Sequence, residues 1–193
     1  MAERWTKSAL EELALEERSH IGTTPFDCLD LSRLCSEWGI PVYAISHLAD
    51  QGCSAEALKH FADDQPGRWS AALVPAGSGR FIIENSSHSP QRRRSNVAHE
   101  MAHLLLEHEF DSILFSDDGC RSLEPGRDPR EKQALALSAE LLVPKKAAIR
   151  AAINGWPDDR VAQHFDVSIE FARMRMNPSG AREIARRYLA KRA

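Results

Sequence analysis

The sequence contains no apolar run approaching the roughly 18 residues of a membrane-spanning helix, so no membrane partner is expected. No Cys-x-x-Cys pair occurs among Cys28, Cys35, Cys53 and Cys120, which argues against a zinc ribbon or a redox dithiol. The cysteines are expected to be reduced, with Cys28 and Cys35 as small buried hydrophobes on one helix face. Tyrosine is scarce: Tyr43 and Tyr188 are the only two, and both read as packing residues. The first twenty residues carry five glutamates and no apolar core of a signal peptide, so a cytoplasmic protein is expected. Nor is the chain depleted enough in apolar residues for disorder. Its 193 residues are 42% hydrophobic and 27% charged, with net charge −3, the profile of one globular domain, or of one with a small appendage.

Charge is unevenly spread. Residues 171–193 hold seven Lys and Arg against one Glu, whereas the preceding 170 residues hold 18 basic and 27 acidic groups. An Arg-rich tail on an acidic body is a surface for nucleic acid or an acidic partner, or else a solvated helix face.

Periodicity predicts helices over Ser8 to Ser19 and Pro25 to Trp38, the second ended by Gly39. A strand over Ile40 to Ile45, a helical turn over Ala55 to Phe61 and a turn over Asp63 to Gly67 follow. Trp69 to Val74 and Arg80 to Glu84 read as a hairpin around Gly77-Ser78-Gly79. Ser86 to Arg94 reads as a polar loop and Ser95 to His108 as a helix. A loop over Asp117 to Pro129 precedes a helix from Arg130 to Val143, stopped by Pro144. Asp158 to Phe165 and Ser168 to Met176 form a helix-turn-helix-like pair, with Ser168 as N-cap, and Ala181 to Ala193 is a basic helix. The fold class is α+β, with domains at 1–145 and 146–193.

The chemistry lies in His99-Glu100-Met101-Ala102-His103. On a helix, His99 and His103 leave one face a turn apart and reach one metal ion. Glu100 is placed to take a proton from water at that ion. Ala98, Met101, Ala102 and Leu104 to Leu106 make the helix otherwise apolar, so its polar groups require partners.

A catalytic zinc site has three protein ligands and one open position. Leu106 and Glu109 stand where a metzincin would have Gly and His, which excludes that class. Glu107 and Glu109 are too close along the helix to return to the ion, and Glu124 is in the loop. Glu131 and Glu140 are nine residues apart on one helix and face opposite ways. Glu131, whose face continues through Ala134, Leu135, Ser138 and Leu142, is favoured. Glu140 stays the alternative, or else is a solvated or capping carboxylate.

Asn96 to Leu106, followed by Glu131 and by Ser138-Ala139-Glu140-Leu141-Leu142-Val143-Pro144, resembles the ImmA/IrrE family of metallopeptidases. Val161 to Ser168 resembles that family's segment after the peptidase core, and the likeness runs from Ile40 to Met176. The resemblance implies a zincin-like core followed by a helical segment, Zn²⁺ as cofactor, and Glu131 as third ligand. It departs at Leu135, where the family has Asn, and at Leu137, where it has Phe. Ligand orientation is therefore expected to be handled differently. The resemblance further implies a narrow endopeptidase that cleaves a helix-turn-helix repressor after DNA damage or entry of foreign DNA, including antiviral settings.

The rival reading is a DNA-binding regulator that uses the C-terminal helix pair, with a structural or vestigial zinc site. Single- or double-stranded DNA is the expected activator in the first reading. Its contacts would be Arg92, Arg93 and Arg94 with Arg173, Arg175, Arg186 and Arg187. Cys120, in the loop between His103 and Glu131, is a candidate inhibitory thiolate ligand at the open position. His108, five residues beyond His103, reads as an ordinary surface or core histidine.

Overall fold

Local signals fix most of the elements in the computed structural model, which describes residues 5–51, 54–59, 69–108, 129–177 and 180–191. Contacts divide the chain into a sheet unit, Leu31–Leu135, and a helical unit made of Met1–Asp30 and Ala136–Ala193. This division by packing differs from the break that composition draws at 145/146. The mixture of helices and a small sheet is the expected α+β class.

The sheet unit begins with α1, Leu31–Glu37, which stops where Gly39 takes φ +64°, a conformation that glycine adopts without strain. Strand β1 is Val42–Ala44, followed by a 3₁₀ segment Ile45–Gln51 and a short helix α2, Ala55–Lys59. Strands β2, Ala71–Ala76, and β3, Gly79–Glu84, form the expected hairpin. The strand order is β1-β3-β2, with β1 parallel and β2 antiparallel to β3. Helix α3, Pro90–Leu105, packs on β2 and β3. Leu73 and Ile82 from the strands are buried, as are Val97, Ala98, Met101 and Ala102 from the helix. Helix α4, Pro129–Leu142, opens in this unit, and the division falls inside it.

The helical unit holds α5, Lys7–His20, at its N-terminal end, capped by Thr6, whose hydroxyl accepts from the Ala9 amide. It continues through the second half of α4, then α6, Lys145–Ile153, α7, Asp158–Phe165, α8, Ile169–Met176, and α9, Ala181–Ala190. The predicted tight turn between α7 and α8 is present. Asp166 takes a left-handed φ of +50°, and the Ser168 hydroxyl accepts from the Phe171 amide.

The helix predicted over Pro25 to Trp38 forms only from Leu31. Arg18, fully buried, donates to the carbonyls of Thr24, Asp27 and Leu141. A buried guanidinium needs acceptors, and two of these carbonyls would otherwise be committed to helical bonds. Cys28 consequently lies outside any helix and is exposed, while Cys35 is buried. The expected shared face of the two thiols does not exist. Among the described residues, no helix is long and apolar enough to cross a membrane.

Candidate metal centre

Helix α3 begins five residues before the predicted start. Ser89 accepts from the Arg92 amide and Pro90 occupies the first helical position, a strong start signal. Upstream, Asn85 is fully buried. Its side-chain oxygen accepts from the Ser87 amide at 3.0 Å and the Ser87 hydroxyl at 2.7 Å, and its amide nitrogen donates to the Trp69 carbonyl. This polar turn joins β3 to α3.

That setting brings His99 and His103 together with Glu131, from the first turn of α4. His99 Nε2 and His103 Nε2 are 3.1 Å apart. Glu131 places one carboxylate oxygen 3.1 Å from His99 Nε2 and the other 3.3 Å from His103 Nε2. With an imidazole N–H turned toward it, from His103 first and then His99, the Glu131 carboxyl is held well below the usual carboxylate range, while burial opposes this; with lone pairs turned inward the same nitrogens face a common point beside the carboxylate. His103 is buried, and His99 and Glu131 are partly exposed. Three lone-pair-bearing atoms converge on one point, an arrangement that suits a cation.

Glu100 is buried, at 4% exposure. One of its carboxylate oxygens accepts from the Leu73 amide of β2 at 3.1 Å. The anchor holds one oxygen of the carboxylate in place, on the residue that directly follows His99.

Two residues of this neighbourhood, His108 and Gln133, were given no part in the site from the sequence. His108 is buried, with Nδ1 2.9 Å from His103 Nδ1 and Nε2 3.1 Å from the side-chain oxygen of Gln133. The signal that could have found it is the helix end. Glu107 takes φ +51°, its amide donates to the Leu104 carbonyl, and the His108 amide donates to the His103 carbonyl. This is a Schellman turn, which returns the second residue past the cap onto the helix. Leu135, one helical turn beyond Glu131 and standing where the family it resembles has Asn, is 58% exposed.

The other candidates separate cleanly. Glu107 is exposed in that turn. Glu140 is buried and does cap: one oxygen accepts from the Lys145 amide at 2.8 Å, at the start of α6, and the other pairs with Arg175 at 2.5 Å. Arg175 is therefore corrected: at 8% exposure, donating also to the Val143 carbonyl, it is a strut of the helical unit and unavailable to phosphate. Arg93 pairs with Glu84, and Arg93 and Arg94 line a groove of about 350 Å³ with Leu31, Val42 and Val97. Arg92 to Arg94 thus lie on α3 and not in a loop. Arg92 is exposed, Arg173 lies 3.6 Å from Asp158, and Arg186 and Arg187 both pair with Glu183. Tyr43 meets the Phe81 ring edge-on, as a packing residue would. Cys53, Glu109, Cys120, Glu124 and the turn at 63–67 lie outside the described residues.

Comparison with known families matches residues 39–177 to the model of the IrrE N-terminal-like domain, Peptidase_M78. The match takes in more than half of the chain, with all of α3, α4 and the α7–α8 pair. No curated protein matches the sequence.

Proposed function

The chain belongs to the IrrE N-terminal-like Peptidase_M78 family, a metallopeptidase-like group, and from that premise we propose that it is a zinc-dependent endopeptidase. The observation that carries this reading is the convergence of His99, His103 and Glu131, all from one unit of the chain. A tetrahedral ion with ligands at about 2.0–2.1 Å holds neighbouring donor atoms about 3.3 Å apart. The three separations here are 3.1, 3.1 and 3.3 Å, and a two-nitrogen, one-oxygen donor set suits zinc. Three ligands leave one position for reactants, as in catalytic rather than structural sites.

His99, His103 and Glu131 would hold the ion. When bound, zinc supplies Lewis acidity, polarising a peptide carbonyl and bringing the pKa of water toward neutrality. Glu100, held by the Leu73 amide at one oxygen, takes the proton from the attacking water and delivers it to the leaving amine. Burial of Glu100 keeps that proton from exchanging freely with bulk water.

The proposed substrate is a helix-turn-helix repressor, and the proposed signal is DNA, reached through the arginines of α3, of which Arg92 is exposed, and those of the C-terminal helices without Arg175. Support comes from the family resemblance and from the basic tail. A cytoplasmic setting accords with both. Co-expression of the full chain with the product of the neighbouring gene tests the enzyme reading. A cut is expected that falls about 10²–10⁴-fold on Glu100→Gln, with about one zinc per chain retained. A wild-type chain that binds no zinc, or a cut unchanged by Glu100→Gln, overturns the reading.

A further inference from the structure

A neutral imidazole has one N–H and one lone pair, and only a nitrogen that bears a lone pair binds a metal ion. His103 must therefore carry its proton on Nδ1 to offer Nε2, the atom that faces His99 and Glu131. Both tautomers are accessible in water, so something in the fold has to choose between them.

The chain of contacts behind His103 makes that choice. Gln133 presents its carbonyl oxygen to His108 Nε2 at 3.1 Å, and a carbonyl oxygen only accepts. His108 Nε2 is then the protonated nitrogen and donates to Gln133. His108 Nδ1 is left with a lone pair, 2.9 Å from His103 Nδ1. His103 Nδ1–H donates to it, and His103 Nε2 is bare. Both rings are buried, at 4% and 9% exposure, which limits competition from water for these bonds. The Schellman turn, with its His108-to-His103 backbone bond of 3.1 Å, supplies the register. Residues from α3, its C-terminal turn and α4 thus act in one line.

We propose that His108 and Gln133 are positioning residues that fix the tautomer of His103 and so prepare its Nε2 to bind the metal ion. The proposal rests on the metal-site reading above. It assigns to this pair the orienting task that carboxylates and backbone carbonyls perform behind metal-bound histidines elsewhere.

The test uses the full chain labelled with ¹⁵N, as purified and after treatment with a chelator, and reads histidine tautomers by long-range ¹⁵N–¹H correlation. His103 is expected to carry its proton on Nδ1 and His108 on Nε2 in both states. Zinc affinity, measured by competition with a chromophoric chelator, is expected to fall about 10–100-fold in Gln133→Leu and to be rescued in Gln133→Glu, which keeps an acceptor oxygen. Circular dichroism checks that the variants fold. Protonation of His103 on Nε2 in the metal-free wild type, as a reversed Gln133 carboxamide would impose, overturns the proposal. So does a Gln133→Leu chain that binds zinc within about twofold of wild type, or a Gln133→Glu chain that binds no better than Gln133→Leu. Should a variant not fold, the wild-type tautomers decide alone. Failure of the wild type to bind zinc instead overturns the proposed function, and the tautomers of the metal-free chain still decide the relay.

Discussion

Both units of the molecule bury polar and charged side chains, but the sheet unit holds one cluster arranged unlike anything described in the helical unit. In the helical unit, donors meet acceptors. Arg18 is wrapped in carbonyls, Arg175 binds Glu140 and the Val143 carbonyl, and Glu140 also caps α6. Every such contact is complementary, as expected of groups retained for architecture. In the sheet unit Asn85, Glu100 and Glu84 are likewise paired, but at one cluster two imidazole nitrogens and a carboxylate crowd within 3.3 Å. An imidazole N–H can serve the carboxylate, but one cation meets the lone pairs of all three groups at once. Complementary burial therefore marks the frame of the protein, and convergent burial marks its site.

The largest expected effect sharpens that contrast directly. Free zinc at about a thousand times its Kd adds about 4 kcal/mol to the unfolding free energy. Denaturant melts with and without zinc measure it. His103→Leu should abolish the gain, whereas Arg175→Met should keep it. A gain that survives His103→Leu would place the ion elsewhere and break the comparison.

Next in size is the frame itself. Arg175→Met leaves the Glu140 carboxylate buried without its cation, and an expected loss of about 3 kcal/mol follows. Replacing both partners, in Arg175→Met with Glu140→Leu, should recover part of that loss, because no uncompensated charge remains. Urea melts of the two variants decide the sign. Zinc stoichiometry stays at about one per chain throughout, since neither residue belongs to the site. Loss of zinc in Arg175→Met would show that the two buried sets are not separable.

The legibility of the sequence follows the same line. His99, Glu100 and His103 are local signals, readable from a four-residue spacing on one helix. Glu131 was narrowed by rotation, because Glu131 and Glu140 lie nine residues apart on α4 and one of them faces away, and the family resemblance pointed to the same residue. Ser168 and Gly39 announced their turns. Arg175 was misread because charge in a sequence looks solvent-facing, and its partner Glu140 lies 35 positions away. The false helix start at Pro25 has the same origin, a buried Arg18 that claims backbone carbonyls. Ser89-Pro90 was a readable start, obscured by the arginines that follow it. His108 needed the backbone conformation of Glu107, a non-glycine residue at positive φ that gives no sequence cue.

That residue carries the smallest and most specific expectation. In the left-handed region a side chain bears a strain of about 1–2 kcal/mol, which glycine avoids. Glycine also gains entropy in the unfolded chain, so the net stabilisation from Glu107→Gly is about 0.5–1 kcal/mol. Glu107 is exposed, and the substitution removes no buried contact. The turn, and with it the seat of His108 on His103, is preserved, so zinc affinity should not change. Glu107→Val acts in the opposite direction, because a β-branched residue resists positive φ. It should destabilise the turn by more than glycine stabilises it. If the turn opens, His108 leaves His103, and zinc affinity falls along with stability. Thermal melts paired with zinc competition on the two variants separate the effects. Stability that rises in Glu107→Gly while zinc affinity drops would mean that His108 is not held by this turn, and the sheet unit's buried histidines would then owe their alignment to α4 alone.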